Sequence, residues 1–163
     1  MMRIGPYQLD MPVILAPMAG ITDLPFRNAV RRFGVGMAVA EMVSAHPQLQ
    51  DSRKHQQRRI SSREPLPRAI QIVGNDPQEM ASAAARNEAL GAGLIDINMG
   101  CPAKKVFRKA AGSALLADEK QVQDIIEAVV AAVSVPVSLK IRTGITPAQN
   151  NAVTIAHIAE GSG

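Results

Sequence analysis

Leu94-Ile95-Asp96-Ile97-Asn98-Met99-Gly100-Cys101-Pro102 reads as a strand that runs into a sharp turn. The apolar run from Leu94 to Ile97 is strand-like, and Gly100 and Pro102 stop it. Ile95 and Ile97 alternate with Asp96 and Asn98, so a strand here has one apolar face and one polar face. Cys101 is the only cysteine in the chain and falls just past the strand end, beside an amide side chain. Most free cysteines are small buried hydrophobes. A thiol in this position, followed by a basic, glycine-containing loop from Lys104 to Gly112, points to chemistry instead.

The neighbouring segments repeat the pattern outward. Ala69 to Val73 is a short apolar strand, followed by Gly74-Asn75-Asp76-Pro77. Asp76 is placed to cap a helix and Pro77 to open it. That helix runs to about Leu90 and stops at Gly91. Further back, Met37 to Ala40 is a strand leading to Glu41 and Met42, and Val13 to Ala16 is the first strand, ending in Pro17-Met18-Ala19-Gly20. Thr22 reads as the cap of a helix with Asp23 and Pro25 in its first turn, running to about Phe33 and stopping at Gly34. Downstream come a helix over Gln121 to Val133, a strand over Val135 to Ile141, and a helix started by Thr146 and Pro147.

Short apolar strands alternating with helices predict an α/β fold with a parallel, helix-covered sheet. The repeat is about 33 residues per unit, whereas a closed eight-unit TIM barrel takes about 250 residues. The expectation is therefore an incomplete (β/α)8-type barrel of about five units. An open doubly wound sheet is the alternative. No Gly-x-Gly-x-x-Gly turn follows the first strand, and there is no Walker-type phosphate loop. Barrels of this kind build their sites at the C-terminal ends of the strands. Those ends carry Pro17 and Met18, Glu41, Gln71, Asn98 and Cys101, and Lys140 and Arg142. Alternation turns Gln71, Asp96, Asn98, Ser138, Lys140 and Arg142 inward and the aliphatic residues outward. Polar groups gathered at one buried rim are costly without a ligand to satisfy them. Asp96 reads differently, as a buried acid paired with Lys140 or Arg142.

Composition narrows the function classes. The 163 residues are 47% hydrophobic and 20% charged, which suits a globular domain rather than a disordered one. One cysteine excludes an internal disulfide and a cysteine-based metal site, and no metal is expected. Aromatics at 2% argue against a surface of stacked aromatic platforms. No apolar run approaches the ~20 residues of a membrane span, and the N-terminus lacks a signal-peptide core. A cytoplasmic protein is expected. The net charge of +4 favours a polyanionic partner. Arg53, Lys54, Arg58, Arg59, Arg63 and Arg68 fall in one stretch, opposed only by Asp51 and Glu64. Lys104, Lys105, Arg108 and Lys109 follow directly on Cys101.

Taken in order, Ala16-Pro17-Met18-Ala19-Gly20 with Thr22-Asp23, Glu41-Met42-Val43-Ser44, the Gln71 strand, Asp96-Ile97-Asn98-Met99-Gly100-Cys101-Pro102 and Lys140-Ile141-Arg142-Thr143-Gly144 resemble the tRNA-dihydrouridine synthases. The resemblance covers nearly the whole chain, and its wording is closest to the bacterial B-type subgroup. It implies a flavin enzyme that reduces uridine in tRNA, with FMN at the C-terminal mouth of the barrel and NADPH as reductant. By matching motifs, Pro17, Met18, Ala19, Gln71 and Lys140 would contact the flavin ring. Asn98 would face flavin and base, Cys101 would be the general acid, and Arg142, Lys104 and Lys105 would serve the substrate.

The residue types agree with that chemistry. Reducing the C5=C6 bond of uracil needs a hydride at one carbon and a proton at the other, and a positioned thiol can give the proton. An ammonium near the flavin pyrimidine edge would oppose its negative charge. The uridine has to leave its stack, so folded RNA must be gripped, and phosphate contacts from the basic stretches would do that. Family members continue with three more strand-helix units, including the phosphate-gripping loops, and a helical tRNA-binding domain. None of these is expected within residues 1–163, and the ending Ala159-Glu160-Gly161-Ser162-Gly163 reads as an interruption. FMN binding is accordingly expected to be weak or absent unless the chain is extended or self-associates to close its sheet. Two alternatives are a flavin barrel acting on a free pyrimidine, like the dihydroorotate dehydrogenases, and a non-catalytic RNA-binding fragment.

Overall fold

Continuously buried runs set the sheet. Ala69–Val73 and Leu94–Met99 are buried at every position, as central parallel strands covered on both faces must be. The structure is a computed structural model that describes residues 2–49, 52, 53, 56, 58 and 60–163. Asp51, Lys54 and Arg59 of the first basic stretch lie outside the described residues. The strands are β1 (Met2–Ile4), β2 (Tyr7–Leu9), β3 (Ile14–Leu15), β4 (Met37–Ser44), β5 (Ala69–Val73), β6 (Leu94–Met99) and β7 (Val137–Ile141). β3 to β7 form one five-stranded sheet in chain order, and every pair in it is parallel. The helices are α1 (Leu24–Arg31), α2 (Pro77–Ala89), the single turn α3 (Lys104–Phe107), α4 (Glu119–Ala132) and α5 (Ala152–Gly161). This is an incomplete TIM barrel, as the strand-helix alternation predicts.

The outward isoleucines hold the helices. Ile70, Ile72, Ile95 and Ile97 are fully buried against Met80, Ala83 and Ala84 of α2 and Val122, Ile125, Ile126 and Val129 of α4. Each such side chain contributes about 1.5–3 kcal/mol by leaving water. Asp76 caps α2 as expected, its Oδ1 accepting from the backbone of Gln78 and Glu79 at 2.9 Å. Inside the sheet, the antiparallel β1–β2 hairpin lays Leu9 on Met37, Val39, Ala69 and Leu94. These residues sit at or near the strand starts. The interior is therefore apolar at its N-terminal end, and the polar residues gather at the other.

Three local expectations change. Thr22 is not the cap of α1. Asp23 caps it, with Oδ1 accepting from Phe26 N at 2.9 Å, while Thr22 is fully buried and bonded back to Met18. Thr146 and Pro147 do not start a helix. They lie in a hairpin of β8 (Gly144–Thr146) and β9 (Gln149–Asn150), and α5 begins only at Ala152. The Thr146 hydroxyl accepts from Gln149 N, the same local bond that a helix cap would make, but here it closes a turn. The second strand runs on to Ser44 and carries an irregularity. Ala40 pairs with Ile70 and Val43 with Ile72, so β4 holds one residue more than β5 between those points. The bulge turns both Glu41 and Met42 inward, where regular alternation would turn only one.

Candidate active site

At the C-terminal ends of the strands a cavity of about 220 Å³ is lined by Pro17, Ala19, Met42, Gln71, Asn98, Gly100, Cys101, Pro102 and Lys140. A larger hollow of about 360 Å³ lies at the opposite end, among Pro6, Val130, Val133, Val135 and Pro136. Its only side-chain hydroxyl is that of Ser134 and it brings no ionisable side chains together, so the smaller cavity is the candidate site. Six of the residues singled out from the sequence meet there: Pro17, Ala19, Gln71, Asn98, Cys101 and Lys140.

The sheet register stacks the polar residues. Gln71, Asp96 and Ser138 are direct neighbours across β5, β6 and β7, and Asn98 lies beside Lys140 one layer above. Gln71 Nε2 donates to Asp96 Oδ2 at 2.6 Å, and Ser138 Oγ donates to Asp96 Oδ1 at 2.7 Å. Asn98 Nδ2 donates to Gln71 Oε1 at 2.7 Å and also approaches Met42 Sδ at 3.6 Å. Asp96 is thus a satisfied buried acid, as expected, but with other partners. Gln71 and Ser138 hold it directly and Lys140 acts only through space, while Arg142 turns away. Burial pushes the Asp96 carboxyl up from its ordinary value, and the bonds from Ser138 and Gln71 and the charge of Lys140 pull it back only in part.

The thiol loop is fixed from three sides. Asn98 Oδ1 accepts from Cys101 N at 2.9 Å and from Gly100 N at 3.2 Å. Ser113 donates to the Cys101 carbonyl through its backbone at 3.0 Å and its hydroxyl at 3.1 Å. Arg142 Nε donates to Gly100 O at 2.6 Å. Gly112 has φ 63°, and a Cβ there would stand 2.6 Å from Cys101 O. Cys101 itself is half-buried and free. Ser113 is a site residue that sequence reasoning missed; its one signal is the Gly-Ser pair closing the basic loop.

The opposite wall is the loop after β3. Met18 N donates to Thr22 Oγ1 at 2.9 Å, and Gly20 N donates to Glu41 Oε2 at 2.7 Å. Glu41 is also paired with Arg58 Nε at 3.1 Å. Behind Thr22 lies a buried ion pair. Arg27 gives Nη1 to Thr22 O at 2.7 Å, and Nε and Nη2 to the two oxygens of Glu64 at 2.9 and 2.5 Å. Burial lowers the neighbouring Arg31 guanidinium from its ordinary value; Glu64 opposes that shift and Arg27 adds to it. Met18 does not line the cavity and is partly exposed.

The basic residues divide. Lys104, Lys105, Arg108 and Lys109 are exposed on or beside α3, just past Cys101. Lys105 and Lys109 rim a second cavity of about 340 Å³ that shares Met42 with the first and also meets Arg58 and His46. The first stretch does not stay on the catalytic face. Arg58 is there, bonded to Met42 O as well as Glu41. Arg68 immediately precedes β5, at the far end, with its guanidinium on the carbonyls of Glu64 and Ser62. The connection has to cross the length of the sheet before β5 can start parallel to β4.

Among the described residues no three His, Cys, Asp or Glu side chains are grouped to hold a metal ion, and no helix is long and apolar enough to cross a membrane. Parallel strands in sequential order, with an amide, an ammonium and a thiol at their C-terminal ends, place the fold in the β/α-barrel class, whose sites are built on that face. The sequence matches the family model for dihydrouridine synthases over residues 14–163, and the chain belongs to that family. It is 58% identical over 161 residues to a protein of Pseudomonas aeruginosa named tRNA-dihydrouridine synthase B, covering 99% of this chain and 48% of that one. It is 56% identical over 162 residues to one of that name from Shewanella oneidensis, covering 99% and 50%. A third, from Salmonella typhimurium, is 55% identical over 162 residues with the same coverage. The chain spans about half the length of the curated relatives it matches.

Proposed function

We propose that this chain carries the catalytic wall of a tRNA-dihydrouridine synthase, which reduces the C5=C6 bond of a uridine in tRNA with FMN as cofactor and NADPH as reductant. The observation that carries this reading is the meeting of Pro17, Ala19, Gln71, Asn98, Cys101 and Lys140 around one cavity, with the Cys101 backbone fixed at both its N–H and its carbonyl.

The lining suits a flavin ring. Pro17, Ala19 and Met42 give the cavity apolar lining that would suit the ring faces, and Gln71 and Lys140 are polar lining groups that would meet the ring's heteroatoms. When bound, reduced FMN supplies the hydride. The chain does the rest. Cys101 Sγ gives the proton to the other carbon of the bond. Lys140, whose ammonium has no hydrogen bond among the described residues, opposes negative charge on the ring. Asn98 spends its amide on Gln71 and on the loop backbone, so it serves chiefly to aim Cys101. Lys104, Lys105, Lys109 and Arg142 take phosphates of the strand from which the base is drawn. A tRNA substrate in turn favours a cytoplasmic location. In this reading residues 1–163 supply the ring-facing part of the barrel, and the cofactor phosphate would be gripped by barrel units other than these five.

The test is uridine reduction in an unmodified tRNA transcript with FMN and NADPH, using this chain and a full-length relative, each with and without alanine at the Cys101 position. The visible spectrum is followed in parallel. Cys101→Ala should slow reduction by about 10²–10⁴-fold and leave flavin binding in place. Full activity in that variant would remove Cys101 from the mechanism. Activity on free uracil without RNA would reject tRNA as the substrate.

A further inference from the structure

The buried polar groups beneath the site have a fixed direction. An ionised carboxylate only accepts hydrogen bonds, whereas an amide side chain donates at one end and accepts at the other. Both oxygens of Asp96 accept, one from Gln71 Nε2 and one from Ser138 Oγ. With its NH2 turned to Asp96, Gln71 can present only its oxygen to Asn98, and Asn98 Nδ2 donates to it. That in turn leaves Asn98 Oδ1 facing the loop, where it accepts from Gly100 N and Cys101 N. Turning over either amide would oppose two donors or two acceptors in a site where Gln71 is 1%, Asp96 5% and Asn98 8% exposed. Such clashes are costly in a buried network.

We propose that Asp96 is a positioning residue for the thiol loop: its charge sets the orientation of the Gln71 and Asn98 amides, and through them the acceptor that holds the backbone of Cys101. Ser138 fits this role, because it occupies the second carboxylate oxygen and leaves Gln71 only the first. Asp96 does not itself line the cavity: it holds Gln71, which does, and makes no hydrogen bond to Cys101. The inference relies on the proposed function only in calling Cys101 the proton donor. Its test needs neither flavin nor RNA, so it can fail while that function stands.

The single cysteine makes the test site-specific. The exchange of the Gly100 and Cys101 amides and the rate of Cys101 alkylation by iodoacetamide would be followed in the free chain. Asp96→Asn can offer either a donor or an acceptor to Gln71, so the direction is no longer enforced. Exchange at both amides should rise about tenfold, the equilibrium worth of one such hydrogen bond. Alkylation should change with it. Gln71→Glu alone sets two carboxylates against each other and should loosen the loop likewise. The double variant Asp96→Asn/Gln71→Glu moves the charge by one link and keeps the direction. The carboxylate now at position 71 can accept both from the amide introduced at position 96 and from Asn98. Exchange should return to within about threefold of the wild type. A role in packing alone predicts a double variant no better than the worse single one, and that result would overturn the proposal. So would wild-type exchange in Asp96→Asn. Should the variants not fold, the wild-type chain decides: Gly100 and Cys101 amides that exchange at the rates of an unstructured peptide would also overturn it.

Discussion

Replacing Glu64 with Gln should weaken both the fold and the wall of the site that contains Pro17 and Ala19. Glu64 and Arg27 are each about 1% exposed at the side chain, and Arg31 approaches the same carboxylate at 3.9 Å with 12% exposed. Gln keeps the shape but strands two guanidinium charges with no anion between them. Removing one partner of a buried pair costs about 3–5 kcal/mol. For a chain of this size each kcal/mol moves Tm by about 2–4 °C, so the melt should fall by about 6–20 °C. The loss should reach the site, because Arg27 holds Thr22 O and Thr22 holds Met18 N. Thermal unfolding followed by circular dichroism is the assay, with Arg63→Gln, on an exposed side chain, as the control. Adding Arg27→Met to Glu64→Gln should recover part of the loss, since it removes one stranded charge. A Tm within about 2 °C of the wild type for Glu64→Gln would refute the reasoning, because changes of that size are typical of surface positions.

Two further outcomes follow from the loop and its floor. Gly112→Ala would set a Cβ 2.6 Å from Cys101 O and 2.9 Å from Val106 Cγ1 at a positive φ. It should lower stability by about 1–3 kcal/mol and alter the alkylation rate of Cys101; an unchanged melt and rate would show that the loop yields freely. The folded chain raises the Asp96 carboxyl, so it keeps a proton that the unfolded chain has already lost. Between the ordinary value of about 3.8 and the raised one, Asp96 therefore makes stability fall as pH rises, with no further change above. In melts from about pH 4 to about pH 8 the Tm of Asp96→Asn minus that of the wild type should grow and then level off, other carboxylates cancelling in the difference. A difference that shrinks with rising pH would contradict the assigned shift.

Much of this architecture is legible in the chain because its central strands are buried on both faces. Continuous runs such as Ala69 to Val73 have few other uses, and period-two alternation then assigns Gln71, Asp96 and Asn98 to the interior without any knowledge of contacts. Asp76-Pro77 marks a helix start by chemistry alone. What escaped depends on partners distant in sequence. Glu64 looks like one acid in a basic run, yet its side chain is set by Arg27, 37 residues earlier. The bulge that turns both Glu41 and Met42 inward is a mismatch between two strands and has no signature in either. The β1–β2 hairpin is too short for any periodicity, and the hydroxyls of Thr22 and Thr146 make local bonds equally good at a helix cap or a turn. Asp96 was recognisable as a buried, partnered acid, but cations seemed the natural partners when an amide and a hydroxyl fill that role.

The order of the strands in space is their order in the chain. A nascent polypeptide emerging from the ribosome can therefore add each strand to the one made just before it, with no gap held open for a later segment. The contacts that complete the thiol loop arrive with β7: Ser138 reaches Asp96 and Arg142 reaches Gly100, each across 42 residues. Such spans are short for a parallel sheet, whose slow assembly comes from long loop closure. The loop that carries Cys101 would thus receive its last supports only when β7 docks, after Asn98 and Ser113 have already engaged it.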